Sequence, residues 1–567
     1  MTVSLTSAPT HASPDAAAAR DLPVTTAPTT PLQTVIHSAR PGARANRRAH
    51  AADAGRHGAQ GPYVITWTVD LPDEAATRHL ALILSETLKP GDMITLSGDL
   101  GAGKSTLARA LLRILANDPE LEAPSPTFTL IQEYETPFGE VAHADLYRLS
   151  GADDLIELGW EEITRHALTL VEWPDRAGEM LSPDRLDVLL QMDPAGAEGS
   201  RVAVLTGHGK WAGRLAMTRA IRTVFQKAGW DKARRTFLQG DASSRSYERL
   251  IRPNGQTAVL MVSPRQPDGP PIRRGKPYSA IAHLAESVHA FVAIANGLRS
   301  LSISAPAILG RDLDAGVLLV EDLGAQGVVN ENGPIPSRYE EAVRLLARMH
   351  AVQLPHTLPV SDGVDHVIPP YDMEALQIEV DLLLDWYVPA TVRTLPALAR
   401  SQFTGAWVDV LRPVIAGPQT WTLRDYHSPN LLWLPERQGL QRIGVIDFQD
   451  AVLGHPAYDV MSLLQDARVT VPPALELQLL RAYASARASD ADFDMADFAA
   501  AYAVLGAQRA TKLLGIFMRL DRRDGKPQYL AHLPRIKRYL LRNLAHPALA
   551  PVKKWYETYL IHVVEGD

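Results

Sequence analysis

From residue 62 onward the chain alternates between short apolar runs and longer amphipathic ones, whereas residues 1–61 show neither pattern. Asp73 and Glu74 stand just ahead of 75–84, where apolar residues recur at helical spacing, and this predicts a helix with an acidic first turn. The apolar run 92–97 predicts a buried strand leading straight into Gly98, and 106–115 resumes a helical pattern. Two further predicted strands end in carboxylates: 141–148 carries Asp145 and 168–174 carries Glu172. Residues 215–227 read as helix, 237–250 as strand, small-residue turn and strand, and 257–262 as a third strand. A strand and connection are predicted at 318–324, and the later chain, notably 371–386 and 459–541, is helical in pattern. No apolar run reaches eighteen residues, so no membrane span is expected.

Composition narrows the class. At 567 residues the chain is too long for one core. With 46% apolar and 21% charged residues it resembles an ordinary soluble protein, and a cytoplasmic location is expected. It has no cysteine, which excludes disulfides, thiol nucleophiles and cysteine metal sites. The net charge of −7 is unevenly spread: residues 62–209 hold 25 acidic against 10 basic side chains. So acidic a module is a poor direct binder of nucleic acid, because neutralising phosphates supplies most of such affinity. Residues 1–61, rich in Ala, Thr, Pro and Arg, lack the apolar centre of a secretory signal and are expected to be a disordered tail or a misassigned start.

The chemistry begins at Gly98-Asp-Leu-Gly-Ala-Gly-Lys-Ser105, placed between the predicted strand and helix as a P-loop requires. Gly98, Gly101, Ala102, Gly103 and Thr106 would bring backbone N–H groups to the phosphates of ATP, assisted by the helix N-terminus. Lys104 would reach the outer phosphates, and the Ser105 hydroxyl would ligate Mg²⁺. Asp145 and Glu172 end strands of a parallel sheet, where such ends converge on a nucleotide crevice; two acids there can hold metal and orient water.

In order and spacing, GDLGAGKST, SPTFTL, HADLYRL and LVEWP resemble the TsaE family, the small ATPase of the bacterial machinery that makes N6-threonylcarbamoyladenosine at position 37 of tRNA. The resemblance implies Mg²⁺ ligands at Ser105 and Glu172, a metal or hydrolytic role for Asp145, and Glu74 near the nucleotide. It also implies a switch-like loop at Thr127 and a functional or simply buried Trp173. TsaB and TsaD would be partners, and tRNA would be served only indirectly, which suits the acidity of this module.

A second nucleotide signature lies far downstream. Asp425 is followed by Asn430, and Asp447 opens an Asp-Phe dipeptide after the apolar run 443–446. This reproduces the kinase arrangement: one aspartate takes the acceptor's proton, while the asparagine and second aspartate hold Mg²⁺ across the phosphates. The small-residue turn at Gly240, Ser243, Ser244 and Arg245 can drape over phosphates, and backbone groups around Glu321 would meet adenine. Protein-kinase features are missing, however. The strand position that offers a phosphate-binding lysine reads Val259-Leu-Met261, and His427 stands two after the catalytic aspartate. A small acceptor is therefore expected.

GDASSRSYERL, LLVEDLG, RDYHSPNLLWL and IDFQDAVLGHPAYDVMSLLQDAR resemble the aminoglycoside phosphotransferase superfamily, and within it the AmgK branch. That resemblance implies phosphorylation of the anomeric hydroxyl of N-acetylmuramate or N-acetylglucosamine in cell-wall recycling. A pseudokinase docking module, or a kinase for an aminoglycoside, choline or another small alcohol, remain open readings. Arg245, Arg249 or a second Mg²⁺ are candidates for the cation that Met261 does not supply. Asp381, Asp385 and Trp386 lie close on one predicted helix as a polyol pocket or a solvated face, and His455 and Asp459 are expected to brace the metal loop. The expected layout is a tail over 1–61, a parallel-sheet P-loop ATPase over 62–209 and a linker over 210–222. A two-lobed kinase-like fold follows, with an N-lobe over 223–325 and a mostly helical C-lobe over 326–567.

Overall fold

The computed structural model describes residues 64–149, 151–197, 199–238, 245–392 and 394–564. The expectation of a disordered tail falls outside these residues, as do Gly240, Ser243 and Ser244. The chain divides into two units, Met1–Thr218 and Arg219–Asp567.

In the first unit, β1 (Ile65–Leu71), β2 (Met93–Ser97), β3 (Ile131–Thr136), β4 (Gly139–Asp145), β5 (Leu168–Glu172), β6 (Arg185–Met192) and β7 (Arg201–Gly207) form one sheet in the order β1-β7-β6-β2-β5-β4-β3. Its centre is parallel, β2 pairing with β5 and β6, and β5 with β4. Its margins, β1–β7, β6–β7 and β3–β4, are antiparallel, so the core is parallel as expected but the sheet is mixed. α1 (Glu74–Ser85) starts where Asp73 caps Ala76 N–H at 2.7 Å, as the acidic first turn predicted. α1 and α2 (Lys104–Ala116) bury Leu80, Leu84, Leu107 and Leu111 against Ile94 and Leu96 of β2. The opposite side of β2 and β5, with Met93 and Val171, packs on Trp160 of α4 (Trp160–His166), which follows the short α3 (Asp153–Glu157). Strands covered on both faces explain the continuous apolar runs.

The segment expected as a linker falls inside α5 (Lys210–Ala228), and the division between the units lies within that helix. Its first turns carry Trp211 and Leu215 into the first unit's core, and apolar residues at helical spacing continue beyond.

The second unit opens with β8 (Arg234–Leu238), β9 (Ser246–Ile251), β10 (Thr257–Val262), β11 (Ile308–Asp312) and β12 (Val317–Glu321), an antiparallel sheet ordered β11-β12-β10-β9-β8. After the short α6 (Tyr278–Ile281), α7 (Val288–Ser300) lays Phe291 and Val292 into one core with Met261, Leu318 and Val320. The rest is mainly helical, with four small two-stranded sheets among the described residues. Thr420–Thr422 pairs with Val452–Gly454, and Leu431–Trp433 pairs with Ile443–Val445. The 30-residue helix Met495–Asp524 runs through the centre. It crosses the Met373–Leu382 helix closely at Gly515, where a Cβ would lie 2.3 Å from the Leu382 backbone. There the chain turns into the π-helical segment Leu383–Tyr387. Asp381 is buried against Arg273 at 2.6 Å, while Asp385 is exposed and pairs with Arg400 at 2.8 Å, and burial together with the nearby Asp385 charge pushes the Asp381 pKa up. Among the described residues no helix is long and apolar enough to cross a membrane.

Candidate active sites

β2 delivers the chain into the glycine-rich turn, and Lys104 opens α2. Gly98, Gly101 and Gly103 have φ of +133°, +81° and +105°, values that L side chains rarely adopt. At Gly98 a Cβ would also stand 2.2 Å from the Leu190 carbonyl oxygen. Lys104 Nζ donates to the Gly98 and Asp99 carbonyls at 2.8 and 3.0 Å and lies 3.8 Å from the centre of the Trp173 ring. Burial pulls its pKa down, against the opposing pull of Glu172, Asp145 and Asp99.

Asp145 and Glu172 are register partners at the ends of β4 and β5. Ser105 Oγ donates to Glu172 Oε2 at 2.9 Å, and His143 Nε2 lies 3.0 Å from Glu172 Oε1. Asp145 accepts from Ser125 Oγ at 2.5 Å and Tyr147 N–H at 3.1 Å. A hydroxyl and a carboxylate brought together beside an ammonium suit Mg²⁺, which takes few protein oxygens and completes its shell with water and phosphate. Thr127 belongs to the same loop as Ser125, its N–H bonded to the Ser125 carbonyl at 2.9 Å. Glu74 is exposed on α1 and pairs with Arg78 at 2.6 Å.

Reading the sequence missed His143. Its signal was the period-two alternation of β4, which puts residues 143 and 145 on one face. Trp173 has φ of +58° and holds its ring 5.1 Å from Tyr147, so the indole is part of the lysine's wall.

In the second unit the Thr420–Thr422/Val452–Gly454 and Leu431–Trp433/Ile443–Val445 strand pairs flank the segments that carry Asp425, Asn430 and Asp447. Arg424 and Asp447 both adopt left-handed φ, +66° and +58°, strain of the kind that packed active-site loops sustain. At Arg424 it is Asp459 that holds the backbone, accepting Leu423 and Arg424 N–H at 2.7 and 3.0 Å, so this carboxylate braces the Asp425 loop and not the Asp447 loop it was expected to support. Burial raises its own pKa to about 7. Asp466 holds the loop's other end, accepting from Ser428 N–H at 2.9 Å and its hydroxyl at 2.5 Å.

Asp425, Asn430 and Asp447 meet in one cleft. Asn430 Nδ2 donates to the Asp425 carbonyl at 3.0 Å and lies 3.4 Å from Asp447 Oδ2. Gln449 Nε2 and Arg245 Nη1 approach Asp447 Oδ1 at 2.8 and 3.3 Å. Burial and the charge of Asp425 raise the Asp447 pKa. Burial would raise Asp425 as well, but Arg509 at 3.4 Å, with His427, Lys512 and Arg424 nearby, holds that carboxyl well below the usual range. His427 is itself pushed down to about 4 by burial, so it stands there neutral at physiological pH. An amide oxygen and a carboxylate are the donor types that take Mg²⁺ together with phosphate oxygens.

Behind the loop, Glu379 is fully buried and accepts from Lys512 Nζ (2.7 Å), Gln508 Nε2 (2.9 Å), Tyr371 OH (2.6 Å) and Arg424. The Glu321 carboxylate is engaged by Arg437 and by Arg299 at 3.4 Å, and its N–H donates to the Ala307 carbonyl at 2.9 Å.

Residues 71–201 match the family described as threonylcarbamoyl adenosine biosynthesis protein TsaE, and residues 234–498 match the phosphotransferase enzyme family. A TsaE protein of Rickettsia felis is 38% identical over 22% of this chain and 71% of its own. The N-acetylmuramate/N-acetylglucosamine kinase of Caulobacter vibrioides is 38% identical over 60% of this chain and 96% of its own. The chain joins a TsaE-family unit to a phosphotransferase-family unit. The Pseudomonas aeruginosa kinase of the same name is 31% identical over 58% of this chain and 90% of its own. The TsaE unit thus carries the P-loop geometry, the phosphotransferase unit carries the Asp425 cleft, and both families use ATP.

Proposed function

We propose that the TsaE unit hydrolyses Mg²⁺-ATP in support of threonylcarbamoyladenosine formation on tRNA, acting through TsaB- and TsaD-type partners. We propose further that the phosphotransferase unit moves the γ-phosphoryl group of ATP to the anomeric hydroxyl of N-acetylmuramate or N-acetylglucosamine, and that both reactions occur in the cytoplasm.

The first reading is supported by Ser105 and Glu172 meeting at 2.9 Å beside Lys104. Backbone N–H groups of 98–106 would cradle the phosphates, Lys104 would neutralise the outer ones, and Asp145 would orient the attacking water. Mg²⁺, held by Ser105 and Glu172, would supply charge neutralisation.

The second is carried by the convergence of Asp425, Asn430 and Asp447. Asp425, ionised throughout the physiological range, would orient the acceptor hydroxyl and take its proton late, as suits a loose transition state with little early demand for a base. Asn430 and Asp447 would hold Mg²⁺ against the phosphates. A panel of acceptors (both amino sugars, an aminoglycoside and choline) incubated with ATP and read by mass tests the proposal. Phosphate on the amino sugars, lost in Asp425→Asn, is expected. Phosphate on a different acceptor would reassign the substrate, and no product from any acceptor would favour a docking module.

A further inference from the structure

Phosphoryl transfer from ATP proceeds with positive charge on the phosphates, and protein kinases supply part of it from a strand lysine held by a helix glutamate. Both members of that pair are absent here. Met261 occupies β10 opposite Tyr247 and Leu318, is 3% exposed, and packs with Phe291 and Val292 of α7. Helix α7, Val-His-Ala-Phe-Val-Ala-Ile-Ala-Asn-Gly-Leu-Arg-Ser, carries no carboxylate. A charged pair has given way to an apolar contact, so the charge must enter the cleft elsewhere.

Two arginines of the first hairpin are available. Arg249 is engaged: its guanidinium makes a two-point contact with the buried Asp322 at 2.7 and 3.3 Å, which holds the start of the interlobe connection. Arg245 has a different partner. Its side chain is 15% exposed, and Nη1 lies 3.3 Å from Asp447 Oδ1, inside the cleft that Asp425 and Asn430 share. We propose that Arg245 is the phosphate-binding cation of the kinase unit, with two alternative partners. In the nucleotide-free protein it pairs with Asp447. When Mg²⁺-ATP enters, the guanidinium passes to a phosphate oxygen and Asp447 is released to the metal. Nucleotide and metal binding are thereby coupled through one side chain, because Asp447 meets the ion once Arg245 has a phosphate.

This rests on the kinase reading above, and the experiment separates the two. Full-length protein carrying Lys104→Ala, which silences the P-loop, is compared with the same protein bearing Arg245→Met or Arg245→Lys. Calorimetric titration with Mg²⁺ and a non-hydrolysable ATP analogue should show affinity weakened about tenfold to a hundredfold by Arg245→Met, the range for losing a charge-assisted hydrogen bond. Arg245→Lys should recover a large part of that loss. Mg²⁺ alone should bind Arg245→Met more tightly than the parent, since Asp447 has lost its competitor. With N-acetylglucosamine as acceptor, kcat/KM for ATP should fall by a similar factor while KM for the sugar stays within about twofold. Unchanged analogue affinity in Arg245→Met, a lysine variant no better than methionine, or equal shifts in both KM values would each overturn the proposal. Analogue binding that depends on Arg245 in a protein that phosphorylates neither sugar would keep this assignment and overturn the functional one.

Discussion

Replacing Glu379 with Gln removes one negative charge from a site where two cations converge. Glu379 is 0% exposed, and its carboxylate is shared by Arg424 and Lys512, themselves largely buried. Burial alone would raise its pKa, yet Lys512 and Arg424 bring it down to about 2 from an ordinary 4.5. A depression of that size corresponds to roughly 3 kcal/mol of stability. Removing one partner of a buried ion pair typically costs about 3–5 kcal/mol, because the remaining charge is left uncompensated. The two routes agree. For a depressed carboxylate the contribution is complete above the unfolded value near 4.5 and is lost as pH falls towards 2. The comparison therefore belongs at pH 7, where all of it is present. Hydrogen exchange of amides in the Met495–Asp524 helix is the suitable assay, since it reports on the second unit alone. About 3 kcal/mol corresponds to exchange about a hundredfold faster in Glu379→Gln. Because Arg424 adjoins Asp425, phosphotransfer should fall as well, while ATP hydrolysis by the TsaE unit is unaffected. Exchange within about threefold of wild type would refute the view that this carboxylate balances the cluster.

Gly98→Ala should abolish nucleotide binding at the P-loop, because φ is +133° and the new Cβ meets the Leu190 carbonyl oxygen at 2.2 Å; equilibrium dialysis against labelled ATP should then show one bound nucleotide per chain in place of two. His350 is buried and bonded to Tyr483 at 2.9 Å, and burial pushes its pKa down to about 3. The unfolded chain takes up a proton below about pH 6.5 that the folded one refuses, so stability is present above 6.5 and is lost as pH falls. About 3 kcal/mol should disappear by pH 4.5. Hydrogen exchange measured across that range should show a shallower slope in His350→Gln, and equal slopes would contradict the assignment. Asp459→Asn, which weakens the brace under Leu423 and Arg424 N–H, should lower kcat about tenfold or more with little change in KM for ATP.

What could be read from the sequence was local. A P-loop is a strand, a turn and a helix in succession, so Gly98 to Thr106 declared itself. The spacing from Asp425 to Asn430 is likewise fixed by one loop. Asp145 and Glu172 were legible because strand ends in a parallel sheet share an edge. What stayed hidden depended on distant partners. Nothing in the Met495–Asp524 stretch marks Arg509 and Lys512, among its several other basic residues, as those facing Asp425 and Glu379. That choice is made by the close helix crossing at Gly515. The division between the units falls within the expected linker at 210–222, but that stretch is part of the helix α5, and its helical apolar spacing leaves no polar break to mark the boundary. Asp381 and Asp385 are neighbours as their spacing implied, but their ion pairs with Arg273 and Arg400, from elsewhere in the chain, could not be read from it.

The central claim is that one chain holds two unrelated nucleotide sites, each complete within its own unit. Crossed assays of Lys104→Ala and Asp425→Asn in the full-length protein test it most directly. The account predicts that Lys104→Ala loses ATP hydrolysis and keeps amino-sugar phosphorylation, and that Asp425→Asn does the reverse. Either substitution abolishing both activities would contradict it.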